Sequence, residues 1–208
     1  MEDVLDLYMQ PFDDQYPVIC MDEKPFRLTD EARKPILMKA LKPERRDSEY
    51  IRKGTCSIFV FTEPLASWRH LSVRERRTKV DWAYKIKDLL DVFYPNVTKV
   101  QLVMDNLNTH TLSSLYEAFD PETARRLAKR LEIHYTPKHG SWLNIAEIEL
   151  SVLTRQCLGR RMPSIDNLSI EQPEWESKRN SMQKGVDWQF STDDARIKLK
   201  RLYPQFKS

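Results

Sequence analysis

An apolar run at residues 55–62, TCSIFVFT, is followed by a long amphipathic stretch and then by a second apolar run, KVQLVM, at 99–104. Both runs are short and rich in β-branched or aromatic residues, as strands are. Between them Ala83, Ile86, Leu90 and Phe93 recur at helical spacing. Ser72 and Glu75 fit a capping box at the start of that helix, and Pro95 stops it. Strand, helix and strand in this order make a βαβ unit, with a right-handed crossover and a parallel strand pair. That unit commits the chain to an α/β sheet covered by helices.

Two more segments read as strands, YPVICM at 16–21 and LEIHYT at 131–136. Residues 111–130 read as two short helices, with Asp120 as cap and Pro121 as the first helical residue of the second. The clearest helix is HGSWLNIAEIELSVLTRQCLG. Ser141 is placed to cap it, Leu143, Ala146, Leu150, Leu153 and Cys157 form one apolar stripe, and Gly159 suits its exit. In the tail, Pro173 is expected to interrupt a helix around EWESKRN, and a last helix starts at the Ser191 cap with Asp194 at its third position. The order predicts a mixed sheet, antiparallel early and parallel late. Only four glycines and no glycine-rich phosphate loop argue against a P-loop or Rossmann nucleotide fold.

With 208 residues and 40% hydrophobic content, the chain can bury one good core. No apolar stretch approaches the roughly 18 residues of a membrane span, and the acidic start MEDVLDLYMQ is unlike a signal peptide. A soluble, non-secreted protein is the expectation. Cys20, Cys56 and Cys157 lie far apart inside apolar patterns, as reduced core thiols do. The net charge of +3 is small, but residues 27–87 hold sixteen Lys or Arg against eight Asp or Glu, including the clusters KPERR and RERR. Such a stretch is either a solvated face or a phosphate-binding surface, and a nearby metal-binding acid cluster would favour the latter.

The acids fall where such a cluster would be. VICM runs into Asp22, and KVQLVM runs into Asp105. In an open α/β sheet, ligands bind beyond the carboxyl ends of parallel strands, so two aspartates on neighbouring strands would share one crevice. Carboxylates that close repel each other unless a proton or cation intervenes, and all-oxygen ligands favour Mg²⁺ or Mn²⁺ over Zn²⁺. Each aspartate alone also reads as an ordinary turn residue. A third acid would come from the helix after LEIHYTPKHG, as Glu147 or Glu149. At about 100° per residue the two lie on opposite sides of the apolar stripe, so geometry does not choose between them.

VICMDEKPF, LVMDNLNTH and GSWLNIAEIELSVL, in that order, strongly resemble the catalytic domain of DDE transposases of the mariner-like bacterial insertion-sequence group, in the retroviral-integrase, ribonuclease-H-like superfamily. The similarity runs over nearly the whole chain, including VDWQFSTDDARIKLKRLYP. It implies a ribonuclease-H-like mixed five-stranded sheet flanked by helices, with residues 1–15 as a linker remnant, 16–160 as catalytic domain and 161–208 as a helical extension packed on it. The family's first acid falls on Asp22 and its second on Asp105, followed by Asn106 and His110. The glutamate of the LNxxE pattern falls on Glu147, after Leu143 and Asn144. The resemblance thus makes the choice that the helical wheel left open. Two departures stand out: SWLNIAE lacks the prolines frequent in this motif, and only about twenty residues precede Asp22, where relatives carry helix-turn-helix modules. The catalytic half alone is expected, as a second reading frame, a truncated copy or an excised domain.

The resemblance implies that Asp22, Asp105 and Glu147 hold two Mg²⁺ (or Mn²⁺) ions for strand cleavage at transposon ends and strand transfer to target DNA. It also implies a homodimer when assembled on DNA, and a cytoplasmic, nucleoid-associated protein. Asn106, His110, Asn144, Lys24 and Lys138 are candidate supporting or DNA-contacting residues, each with a plainer reading as cap, turn or surface charge. Glu23 turns to the other face by strand alternation and leaves the ligand set. Trp142 is either a stacking platform or core, with core preferred, and Trp68, Trp82, Trp175 and Trp188 are assigned to packing. The rival functions are a ribonuclease H or junction resolvase, a non-enzymatic DNA-binding or dimerisation module, and a decayed remnant.

Overall fold

In the computed structural model, which describes residues 1–183 and 185–203, one long strand organises the sheet. Strand β1 (Val18–Glu31) is central in the order β3-β2-β1-β4-β5. It pairs antiparallel with β2 (Tyr50–Glu63), which pairs antiparallel with β3 (Trp68–Arg74). On its other side β1 pairs parallel with β4 (Val100–Met104), and β4 with β5 (Leu131–Tyr135). The predicted mixed sheet is therefore present, with its antiparallel part early and its parallel part late, but the predicted parallel pair of the βαβ unit is not: β1 lies between β2 and β4, antiparallel to the first and parallel to the second, so those two strands run in opposite directions. The β1–β2 hairpin bulges at Leu28/Thr29, where Gly54 adopts φ 111°, a conformation other residues rarely take. Its outer part exposes Ile36, Leu37, Met38 and Leu41 beside the KPERR cluster.

Strand alternation divides the core in two. Ile19, Met21 and Met104 face α2 (Lys79–Asp88), α3 (Leu112–Ala118) and α4 (Pro121–Lys129), packing with Trp82, Ile86, Leu115 and Leu127. Cys20 and Val103 face α5 (Ala146–Gln156), packing with Leu143, Ala146, Leu150 and Leu153. All five residues of the predicted α5 stripe are buried. All three cysteines are free and buried, as expected. No described helix is long and apolar enough to cross a membrane.

Several expectations are corrected. Ser72 does not cap α2. It lies in β3 opposite Phe59, and Thr78 with Asp81 forms the capping box instead. The fifth strand, which the sequence left unlocated, is this β3. Pro173 does not interrupt a helix: α6 (Ile165–Ser181) runs through it. Its lost N–H bond is offset by side chains that grip the free edge of β3, a row of unpaired backbone groups. Glu176 accepts from Leu71 N at 2.9 Å, Gln172 donates to Leu71 O, and Asn180 both accepts from Arg69 N and donates to Arg69 O at 2.9 Å. Ser141 does not cap α5; it opens a separate 3-10 turn, Ser141–Leu143. Residues 1–15, read as a linker, contain α1 (Glu2–Tyr8), whose Val4, Leu5 and Leu7 are buried in the core. The last helix, α7 (Thr192–Lys198), starts on the predicted Ser191–Asp194 capping box. Lys184 and residues 204–208 of the expected extension lie outside the described residues.

Candidate functional site

The last parallel pair between β1 and β4 is Cys20 with Val103. Two residues on from that pair stand Asp22, which period-two alternation turns toward the α5 side of the sheet, and Asp105, the first residue past β4. Asp22 is not at the end of its strand, as the apolar run suggested. The strand continues to Glu31, and Asp22 remains paired with Val60 of β2. What ends there is the partnership with β4, which opens one side of β1 into a crevice.

Helix α5 delivers the third acid. Asn144, nearly fully buried, donates from Nδ2 to Met21 O at 2.8 Å and accepts Ala146 N at 3.2 Å. One amide thus closes the turn that leads into α5 and fastens it to the residue before Asp22. Glu147, in the first turn, is exposed. Glu149 is not: it is 2% exposed and held by Arg69 (Nε–Oε2 3.1 Å) and Arg179 (Nη2–Oε1 2.8 Å). A buried carboxylate with two guanidinium partners is a structural ion cluster, which leaves Glu147 as the α5 acid free to serve the crevice.

Electrostatics ties these groups together. Burial pushes the Asp22 carboxyl up to about 7; the Glu23 N–H, donating to Oδ1 at 2.7 Å, works against this, and the charges of Asp105, Glu147 and Glu23 add to it. Burial alone would depress His110, but its bond to Asp105 and its contact with Glu23 hold it up to about 9. His110 Nδ1 donates to Asp105 Oδ1 at 2.8 Å, since a carboxylate only accepts. Glu23, on the opposite face as alternation predicted, lies 3.6 Å from His110 Nε2 and 3.1 Å from Arg77 Nη1. Among the described residues no three His, Cys, Asp or Glu side chains converge closely enough to cage an ion. The donor set nonetheless fits a hard divalent cation: it is all oxygen, and burial together with the negative charges of Asp105, Glu147 and Glu23 makes an ionised Asp22 costly without a counter-charge.

A cleft of about 460 Å³ runs from Asp22 and Glu147 along α5, lined also by Glu23, Lys24, Ser151, Thr154 and Arg155 but not by Asp105. Ser151, Thr154 and Arg155 were not singled out from sequence, although they lie one to two turns beyond Glu147 on α5. A second hollow at the other end of the sheet, lined by Phe12, Tyr16 and Leu65, holds the exposed Asp13 and the buried Glu63, the latter bonded to Tyr94 Oη at 2.7 Å. Lys138 and Asn106 are exposed. Trp142, expected in the core, is 42% exposed, stacked on Trp188 at 6.5 Å and edge-on to Phe190 at 5.8 Å. Trp82 and Trp175 are buried as predicted, whereas Trp68 and Trp188 are partly covered.

A family model described as DDE superfamily endonuclease matches residues 17–169. No curated protein sequence matches. Among solved structures, the fold is similar to the Mos1 mariner paired-end complex with Mn, with TM-score 0.58 and 15% identity over 88% of this chain and 55% of that one. It is also similar to the Mos1 strand transfer complex, with TM-score 0.58 and 13% identity over 90% of this chain and 60% of that one. The catalytic domain of Mos1 mariner transposase aligns at TM-score 0.54 and 11% identity, over 90% of this chain and 91% of that domain. The five-stranded sheet is thus ribonuclease-H-like. The chain spans a little over half the length of the complexed transposases it matches.

Proposed function

Because the chain belongs to the DDE superfamily of endonucleases, we propose that it is the catalytic domain of a transposase. In this reading it cleaves strands at the ends of an inserted element and joins them to target DNA by phosphoryl transfer. The observation that supports the reading is that Asp22, two residues past the last β1–β4 pair, feels the charges of both Asp105 and Glu147, while Glu149 is tied to Arg69 and Arg179. Asp22, Asp105 and Glu147 would hold two Mg²⁺ or Mn²⁺ ions, whose charge would stabilise the attacking and leaving oxygens.

The chain's own residues supply the rest. Asp22, raised by burial, would have to be ionised to hold a cation, so metal binding would be coupled to proton release there. His110 holds Oδ1 of Asp105, so the other oxygen would be the one to meet a cation. Asn144 keeps α5, and with it Glu147, fixed against β1. Lys24, from β1, and Arg155, from α5, both line the cleft and are the cations placed to meet backbone phosphates. Two DNA ends react together, so the working assembly is a homodimer on DNA, in the bacterial cytoplasm at the nucleoid. Residues 16–160 form the catalytic unit and 161–208 its extension.

The test is a Mg²⁺- or Mn²⁺-dependent cleavage and strand-transfer assay on DNA carrying element ends, beside an RNA–DNA hybrid and a four-way junction. Asp105→Asn, with an unchanged circular-dichroism melt, is expected to lose all metal-dependent cleavage. Cleavage retained by that variant overturns the assignment, and preference for the hybrid or junction overturns the transposase reading.

A further inference from the structure

Glu23 is adjacent in sequence to a proposed metal ligand, yet points away from the metal crevice. Its side chain is only 3% exposed, and an ionised carboxylate so placed needs partners. It has two. Arg77, from the RERR cluster, reaches Oε1 at 3.1 Å from the surface side, and His110 Nε2 lies 3.6 Å from Oε2 on the inner side. His110 is fully buried, and among the described residues its Nε2 has no partner within hydrogen-bonding distance. The Glu23 carboxylate is the acceptor nearest to hand, about half an ångström beyond bonding length.

The imidazole has little freedom. Its ring stacks on Trp82 at 6.0 Å, its backbone oxygen accepts Tyr135 Oη at 2.9 Å, and its N–H closes a turn on Leu107 O at 2.9 Å. Asp105, by contrast, begins the loop after β4 and is one-third exposed, so nothing in its own backbone fixes its rotamer. The bond from Nδ1 is what orients it.

We propose that Arg77, Glu23 and His110 form a positioning relay for Asp105, in which Glu23 aligns the imidazole so that the imidazole holds one carboxylate oxygen and presents the other to the metal. Glu23 thus serves the site from the face opposite to Asp22. A carboxylate behind a histidine commonly orients a ligand through it; here the histidine orients a second carboxylate, and removal of such outer partners typically weakens metal binding ten- to a hundredfold. The relay rests on the assignment of Asp105 as a metal ligand.

The experiment measures Mn²⁺ binding to the full chain by titration calorimetry and electron paramagnetic resonance, with thermal melts as a check on folding. Four variants are compared: Asp105→Asn, Glu23→Gln, His110→Ala and His110→Asn. Glu23→Gln is expected to weaken Mn²⁺ binding about tenfold and His110→Ala by up to about a hundredfold. His110→Asn, which can still donate to Asp105, falls between the parent and His110→Ala. A purely structural role would lower the melting temperature and leave the Mn²⁺ affinity unchanged. The relay is overturned if Glu23→Gln binds Mn²⁺ as tightly as the parent while Asp105→Asn has lost it. Unchanged binding by Asp105→Asn sinks the metal assignment itself, and the relay with it. Glu23→Gln is nearly isosteric and decides the matter even if His110→Ala does not fold.

Discussion

Replacing Asp22 with asparagine should make the protein more stable and less useful. The Asp22 carboxyl titrates at about 7 against an ordinary value of 3.8, roughly three pH units at about 1.4 kcal/mol each. Between about pH 4 and pH 7 the folded chain keeps a proton that the unfolded chain has released, so stability falls as pH rises through that window and stays low above it. The ceiling on the penalty is about 4 kcal/mol. Water entry and side-chain relaxation raise the effective dielectric, so about 2 kcal/mol is the expected gain for Asp22→Asn near pH 8, with almost none near pH 4. For a chain of this length that is a rise in Tm of about 4–8 °C. The assay is urea denaturation of parent and variant across that pH range, repeated with Mn²⁺. The metal should stabilise the parent near pH 8 and leave the variant unmoved. A difference that is flat with pH, or a variant less stable than the parent near pH 8, would refute the reasoning.

The two glutamates of α5 should separate cleanly. Glu149→Gln leaves Arg69, 1% exposed, without its buried counter-charge, and should cost about 3–5 kcal/mol in denaturant unfolding. Glu147→Gln should change stability by less than about 0.5 kcal/mol and abolish metal-dependent cleavage. Gly54→Ala meets no steric neighbour but must adopt φ 111°, so a loss of about 1–3 kcal/mol by thermal melting is expected from backbone strain alone.

Much of this molecule is legible in its sequence, for identifiable reasons. β4 is a parallel strand buried between β1 and β5, and its nearly unbroken apolar run announces it, whereas β5 is a partly covered edge strand announced by the branched and aromatic residues of LEIHYT. α5 has an uninterrupted stripe, and α4 and α7 carry their own caps in Asp120 and Ser191. β3 was missed because WRHLSVR buries Arg69, and an arginine reads as surface unless its partner is known. That partner, Glu149, is eighty residues away. The full length of β1 was missed because Asp22 reads as a terminator, although only the pairing with β4 stops there. The ligand choice on α5 was undecidable from periodicity for the same reason that β3 was hidden: one ion cluster accounts for both. The link from Glu23 to His110 joins residues 87 positions apart, and alternation alone says only which way Glu23 faces.

The grip of α6 on β3 has a consequence for how this protein can be divided. Gln172, Glu176 and Asn180 occupy backbone groups that would otherwise template a strand from another molecule. Arg179, from the same helix, neutralises the glutamate two residues beyond Glu147. A chain severed before α6 would therefore lose a guard against self-association and half the counter-charge of a buried acid in one stroke. The C-terminal part is a clasp: it closes the sheet at one edge and, through Glu149, bears on the helix that carries the third proposed ligand.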